Sequence, residues 1–246
     1  MKKSLVVSNY NSDLEWLKET YPHGFSSENT FIYDKSGEDK NYDHLGHVTR
    51  VPNYGANQYD YISFIIDQYD NLPEMSYFIK GNLFSRVWDG VFDENHYTSR
   101  ERFSKMLDSE ELFSGWQDKQ LLVNDLRHTD TTPLEILKEG RLIQPIQWCI
   151  FGNAQNMETR HFSNHMSLLD YFFVDPPDTS MIEFVPGCIM AVPKENLLRY
   201  SKNFYQKLKN MLSYTPEPPL NPCCGEAYVL ERMLWFLWSN TLIEKS

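Results

Sequence analysis

The chain has no long apolar run. After Met1-Lys2-Lys3 only Leu5-Val6-Val7 follows before Ser8-Asn9 intervenes, whereas a secretory core needs roughly 7–15 apolar residues and a membrane span about 20. Neither a signal segment nor a transmembrane helix is expected. Cysteine is scarce: Cys149, Cys188, Cys223 and Cys224 make up the full count of 4, without zinc-ligand spacing. Adjacent Cys223-Cys224 is an awkward disulfide, so a reducing, cytoplasmic setting is the simpler expectation. Basic residues are in deficit, 23 Lys+Arg against 34 Asp+Glu, giving a net charge of −11 with no basic stripe. That balance excludes duplex nucleic acid, whose capture rests on phosphate neutralisation. It does not exclude a small anionic nucleotide, because a local site can override net charge. A phosphate-cradling Gly-Lys-Ser/Thr loop, a His-Glu-x-x-His pair and a nucleophile elbow are all missing.

Aromatic residues are plentiful: 15 Tyr, 15 Phe and 6 Trp among 246 residues. A chain of this size and apolar content can bury a full core, which rules out disorder throughout. Residues 4–8 read as a short buried strand ending in Asn9-Tyr10-Asn11. Ser12-x-x-Glu15 then resembles a capping box ahead of a helix. Thr30 to Asp34 reads as a second strand, followed by a polar stretch to His47. Tyr61, Ile62, Ile65, Ile66 and Tyr69 recur at helical spacing, and Asn71-Leu72-Pro73 stops that helix. "SYFIKGNLF" (76–84) is a third strand broken by Lys80-Gly81-Asn82. Strands alternating with helices indicate a layered α/β fold with a mostly parallel central sheet. Ligands of such sheets collect beyond the carboxyl ends of the strands, where Asn9, Asp34 and Lys80-Gly81-Asn82 all fall.

Farther along the chain, "IEFVPGCIMAVP" (182–193) reads as a strand, residues 194–212 as a long helix, and residues 225–238 as a closing helix. His161 and His165 share a helical spacing, but no acid completes a metal motif, so a solvated helix face is the expectation. Neither internal repeats nor a clear boundary divides the chain, and one domain over residues 1–246 is expected.

Several segments, in order, resemble a family of glycosyltransferase-like proteins catalogued as a domain of unknown function. They are "VVSNYNSDLEWL" (6–17), "IYDKSG" (32–37), "VPNYGANQYDYISFIIDQYDNLP" (51–73), "SYFIKGNLF" (76–84), "GCIMAVPKENLLRYSKNFY" (187–205) and "YVLERMLWFLW" (228–238). The resemblance covers both ends of the chain and leaves roughly residues 85–180 unmatched. It implies a GT-A-like, Rossmann-type fold that binds a nucleotide-sugar donor, with residues 1–84 as the nucleotide-binding half and 85–246 as the acceptor half. It also implies a divalent metal, Mn²⁺ or Mg²⁺, bridging the diphosphate. The partners implied are a nucleotide-sugar donor and a glycan, lipid or protein acceptor.

Under that resemblance, Asn9, Tyr10 and Asp34 face the nucleobase and ribose, since amides pair with base edges and a carboxylate accepts from hydroxyls. Asn53 and Asn57 precede and open a helix whose free N–H groups receive phosphate; the plain alternative is an ordinary helix start. Hard cations want carboxylate oxygens, yet Lys80, Gly81 and Asn82 stand where an Asp-x-Asp is expected. Either Lys80 neutralises the diphosphate and the enzyme is metal-independent, or Asp89 or Asp93 supplies the acid, or catalysis has been lost. Glu226 and Glu231 are candidate general bases, with a Glu231–Arg232 ion pair as the structural alternative for Glu231. Two rivals stand beside the transferase: a catalytically inactive carbohydrate- or protein-binding module, and a hydrolase using scattered carboxylates.

Overall fold

The computed structural model describes residues 1–37, 40–88, 91–93, 98–116, 120–123, 143–145, 160–162, 165–177, 181–213 and 224–245. Its strands are β1 (Lys3–Asn9), β2 (Thr30–Asp34), β3 (His47–Arg50), β4 (Met75–Lys80), β5 (Arg86–Trp88), β6 (Val91–Asp93), β7 (Phe113–Ser114), β8 (Gln120–Val123), β9 (Ile143–Pro145), β10 (Met181–Phe184) and β11 (Met190–Pro193). Its α-helices are α1 (Ala56–Gln68), α2 (Arg100–Leu107), α3 (His165–Phe172), α4 (Lys194–Leu197), α5 (Lys202–Leu212) and α6 (Gly225–Ser239). β3, β2, β1 and β4 lie side by side in that order and run parallel, and β11 then β7 extend the sheet antiparallel beyond β4. The chain therefore forms a layered α/β fold around a mostly parallel six-stranded sheet, with the inner strand order of a Rossmann-type half.

The sequence of β1 explains why the sheet is covered on both faces. Side chains alternate across a strand; Leu5 and Val7 enter one core cluster while Val6 enters the other, and all three are fully buried. A strand apolar on both faces is what a parallel sheet between two layers requires. α1, α5 and α6 pack on the Val6 face, and α2 with the turn of helix at Glu15–His23 packs on the Leu5 face. Burying each such aliphatic side chain contributes about 1.5–3 kcal/mol. The polar residues are left for the strand ends.

Four local expectations change. Ser12 does not cap a helix: Asp13 Oδ1 accepts from the Glu15 N–H at 3.0 Å, closing a short turn, and a 3₁₀ helix runs Glu15–His23 instead. The strand read across 182–193 is two, β10 and β11, in different sheets. Pro186 offers no ladder N–H, and Gly187 and Cys188 (φ 72° and 53°) turn the chain. The helix read across 194–212 is also two, with Ser201 opening α5 by accepting from the Phe204 N–H. β3 emerges from a polar stretch because an edge strand exposed to water shows no apolar alternation.

Candidate functional site

The sheet's carboxyl end holds a cavity of about 230 Å³. The end of β1 contributes Ser8, Tyr10 and Ser12, and the residue after β2 contributes Lys35. The approach to α1 contributes Asn53, Ala56 and Asn57, and the end of β4 contributes Lys80 and Asn82. Tyr10 stands at the mouth, 64 % exposed. Among the described residues the lining carries two lysines and no carboxylate, on a chain whose overall charge is −11.

Beneath the lining, Asn9 and Asp34 are buried. Asn9 Nδ2 donates to Asp34 Oδ1 at 3.0 Å, and Asn9 Oδ1 accepts from the Ser12 N–H at 3.1 Å. Asp34 also accepts from the Ser36 hydroxyl at 2.9 Å and pairs with Arg50. These two residues tie the ends of β1, β2 and β3 together from below. Gly81 belongs to the same frame. A Cβ there would stand 2.4 Å from Asn9 Oδ1 and 3.0 Å from Leu14 Cδ2, so the position admits only glycine without displacement. Its N–H donates to Ser8 O at 2.8 Å and its carbonyl accepts from Trp16 Nε1 at 2.9 Å. The "KGN" break is thus a docked turn that presents Lys80 and Asn82 on either side of a packed glycine.

α1 begins unusually. Gly55 and Ala56 both take left-handed backbone, with φ 52° and 49°. At Gly55 a Cβ would also stand 2.7 Å from Leu212 Cβ on α5. Among the described residues the N–H groups of Ala56, Asn57 and Gln58 donate to no protein acceptor, the ordinary state of a helix's first turn. Lys35 organises this approach: its Nζ donates to Tyr54 O at 2.7 Å and to Ala56 O. Asp60, fully buried in α1, lies behind it. Its Oδ1 is 3.2 Å from Lys35 Nζ but takes no hydrogen bond, so the contact is one of charge, while Oδ2 accepts from the Ser8 hydroxyl at 2.5 Å. Burial pushes the Asp60 carboxyl up to about 6, against the opposing pull of Lys35 and Ser8. The sequence reading missed Lys35, Asp60 and Ser8. The available signal was an aspartate inside an otherwise buried helix, "NQYDYISF", which requires a partner.

The acids of α6 do not line this cavity. Glu226 is fully buried, and its Oε1 accepts from the backbone N–H of Arg160 and, at 2.7 Å, of His161. Glu231 pairs with Arg232 at 3.4 Å and accepts from the Gly187 N–H at 2.6 Å. The Gly187 carbonyl accepts from Asn57 Nδ2 at 3.1 Å, so one residue, Gly187, stands between Glu231 and the cavity wall. Asp89 lies outside the described residues, and Asp93 ends β6 in a two-stranded ribbon with β5. α3 starts at His165, so His161 precedes it rather than sharing its face.

Two properties bound what this arrangement can hold. The volume, about 230 Å³, is below the roughly 300–1,000 Å³ typical of sites for drug-sized ligands. The lining oxygens are hydroxyls and amides, and no group of three His, Cys, Asp or Glu converges among the described residues. The described residues do not fit a hard divalent cation, which takes carboxylate oxygens. A larger cleft of about 410 Å³ lies at the opposite end of the sheet, lined among others by Lys2, Lys3, Gly24 and Asn29. No helix among the described residues is long and apolar enough to cross a membrane.

No curated protein and no solved structure matches the chain. Residues 5–116, just under half of it, match a family described as "Protein of unknown function (DUF3431)". That stretch runs from β1 to β7 and holds every residue lining the carboxyl-end cavity, whereas Glu226 and Glu231 fall beyond it.

Proposed function

We propose that the chain is a glycosyltransferase that takes a sugar from a nucleotide-sugar donor, with the donor held at the carboxyl end of the parallel sheet. The observation that carries this reading is the cavity itself, with Lys80, Asn82 and Asn57 converging beyond β1 and β4 beside the open first turn of α1. A diphosphate suits that set: Lys80 supplies the charge, and the first-turn N–H groups supply donors at the positive end of the helix dipole. Tyr10 offers an exposed ring for stacking a base or sugar. Asn9, Asp34 and Gly81 position the strand ends from beneath, and Asn53 flanks the phosphates. Glu231, bridged to Asn57 through the residue Gly187, is the candidate general base.

Calorimetry or melting shifts with UDP, GDP and their sugars, with and without Mn²⁺, test the reading. Binding by at least one nucleotide in the absence of metal supports it, and no response to any of them overturns it. A second reading, a non-catalytic binding module, draws on the lack of a carboxylate among the described lining residues. Donor binding without release of the sugar, in the wild type and in Glu231→Gln alike, favours that module over the enzyme.

A further inference from the structure

Lys35 lines the cavity, so its plain reading is a second cation for the ligand's phosphates. Its surroundings point elsewhere. Two carbonyls, Tyr54 O and Ala56 O, converge on Nζ, and the buried Asp60 carboxylate sits 3.2 Å behind it. Two of the ammonium's three protons are engaged by those carbonyls, and its charge is already matched by the Asp60 carboxylate. Carbonyls two residues apart converge on one ammonium here through the consecutive left-handed residues Gly55 and Ala56. For Ala56 that conformation is unfavourable, and it persists where the surroundings hold it. Lys35, and through it Asp60, bonds the two carbonyls of the curl directly, beside the packing of Gly55 on Leu212 and the Asn57–Gly187 hydrogen bond.

Resting on the reading of this cavity as the donor site, we propose that Lys35 is a positioning residue: fastened by Asp60, which Ser8 holds in turn, it fixes the curl that sets Ala56 and Asn57 against the ligand, and it does not itself bind the ligand. Asp60 is the hold on Lys35. It is fully buried and Lys35 is not cut off from the cavity, so when Asp60 loses its charge the ammonium has a way out to water and the carboxyl has none. The two carbonyls then lose their donor and the curl relaxes.

The other groups around Asp60 do not replace this control. Ser8, from β1, keeps an acceptor whichever way Asp60 is protonated. Tyr33 from β2 and Tyr59 and Tyr61 from α1 itself all have hydroxyls held above the usual tyrosine range, chiefly by burial, and stay neutral. Lys209 from α5 adds a distant positive charge that favours the ionised carboxylate. Asp60 thus controls the latch, and the latch opens with acid.

The test follows the backbone ¹³C carbonyl signals of Tyr54 and Ala56 in the ligand-free protein from pH 4.5 to 8 (a range of about one to two units either side of the carboxyl). The expected result is one shared transition with its midpoint near the Asp60 value of about 6, absent in Asp60→Asn, whose signals rest at the acid position throughout. Carbonyl signals unmoved across that range in the wild type overturn the proposal, and this arm needs no variant to fold and no ligand to bind.

A second arm uses UDP. Its own terminal phosphate titrates near ~6, so Asp60→Asn serves as reference. The loss of UDP affinity between pH 7 and pH 5 is expected to be about tenfold greater in the wild type than in the variant, because the competent fraction falls about tenfold one unit below the carboxyl's midpoint. A relative gain of affinity in acid would mean that the released Lys35 binds phosphate, and would overturn the positioning role. If UDP binds at no pH, the donor-site reading fails alone, and the carbonyl transition still decides this one.

Discussion

The two ends of the central sheet each carry a cleft, and the larger is the less purposeful. At the amino end, about 410 Å³ is walled by the first residues of the chain and by turns. Two of its polar side chains are already engaged: Lys3 Nζ donates to Leu107 O at 2.9 Å and lies over the Tyr77 ring, and His23 Nδ1 contacts Asp108. At the carboxyl end, about 230 Å³ is walled by strand ends, underlain by a buried ion pair and a glycine that tolerates no side chain. A buried charge costs several kcal/mol to place even after relaxation. Among the described residues such a cost is spent at the carboxyl end and not at the amino-end cleft. Volume alone does not mark a site; positioned charge does.

The sharpest way to break this contrast is to remove one charge from each end. Lys35→Met leaves the Asp60 carboxylate with no counter-charge and no exit to water, and urea unfolding at pH 7 should show a loss of about 3–5 kcal/mol. Lys2→Ala, at the amino-end cleft, should fall within about 0.5 kcal/mol of wild type.

Asp60→Asn probes the same pair with the opposite sign. The Asp60 carboxyl is raised from 3.8 to about 6 in the folded protein, so the folded state holds a proton that the unfolded chain has released. The group's contribution to stability is therefore fullest below about pH 4, falls as pH rises to about 6 and is level above that. The stability of wild type minus that of Asp60→Asn should decline across that window by about 3 kcal/mol. A difference that rises with pH would mean that Lys35 outweighs burial.

Gly81→Ala should cost about 1–3 kcal/mol, because Asn9, tied to Ser12 and Asp34, has little room to withdraw. Lys80→Met acts on binding rather than on folding. A charge-assisted hydrogen bond is worth about 1.5–3 kcal/mol, so UDP affinity by calorimetry should fall about tenfold or more, with Lys2→Ala unchanged.

How these regions could be read from the sequence differs as much as their roles do. β1, β2, β4 and most of α1 follow from apolar runs and helical spacing, because burial on two faces writes itself into consecutive residues. Their polar ends follow from the same runs stopping. Asn53 before α1, Asn57 in its first turn and Lys80 were legible for that reason. The Lys35–Asp60 pair was not, since the partners stand far apart in the chain and periodicity carries no information about charge pairing between elements. The internal use of Asn9 and Asp34 was equally hidden: a polar residue at a strand end looks the same whether it faces a ligand or its neighbours. The breaks at Pro186–Cys188 and before Ser201 carried local signals, a proline-glycine pair and a serine cap, that longer apolar patterns masked.

The most direct measurement is the map of backbone ¹H–¹⁵N shifts on adding UDP. Binding at the carboxyl end predicts perturbations centred on Tyr10, Asn53, Asn57, Lys80 and Asn82, with Lys2, Gly24 and Asn29 unmoved. Perturbations centred on Lys2, Gly24 and Asn29, or none at saturating UDP, would contradict it.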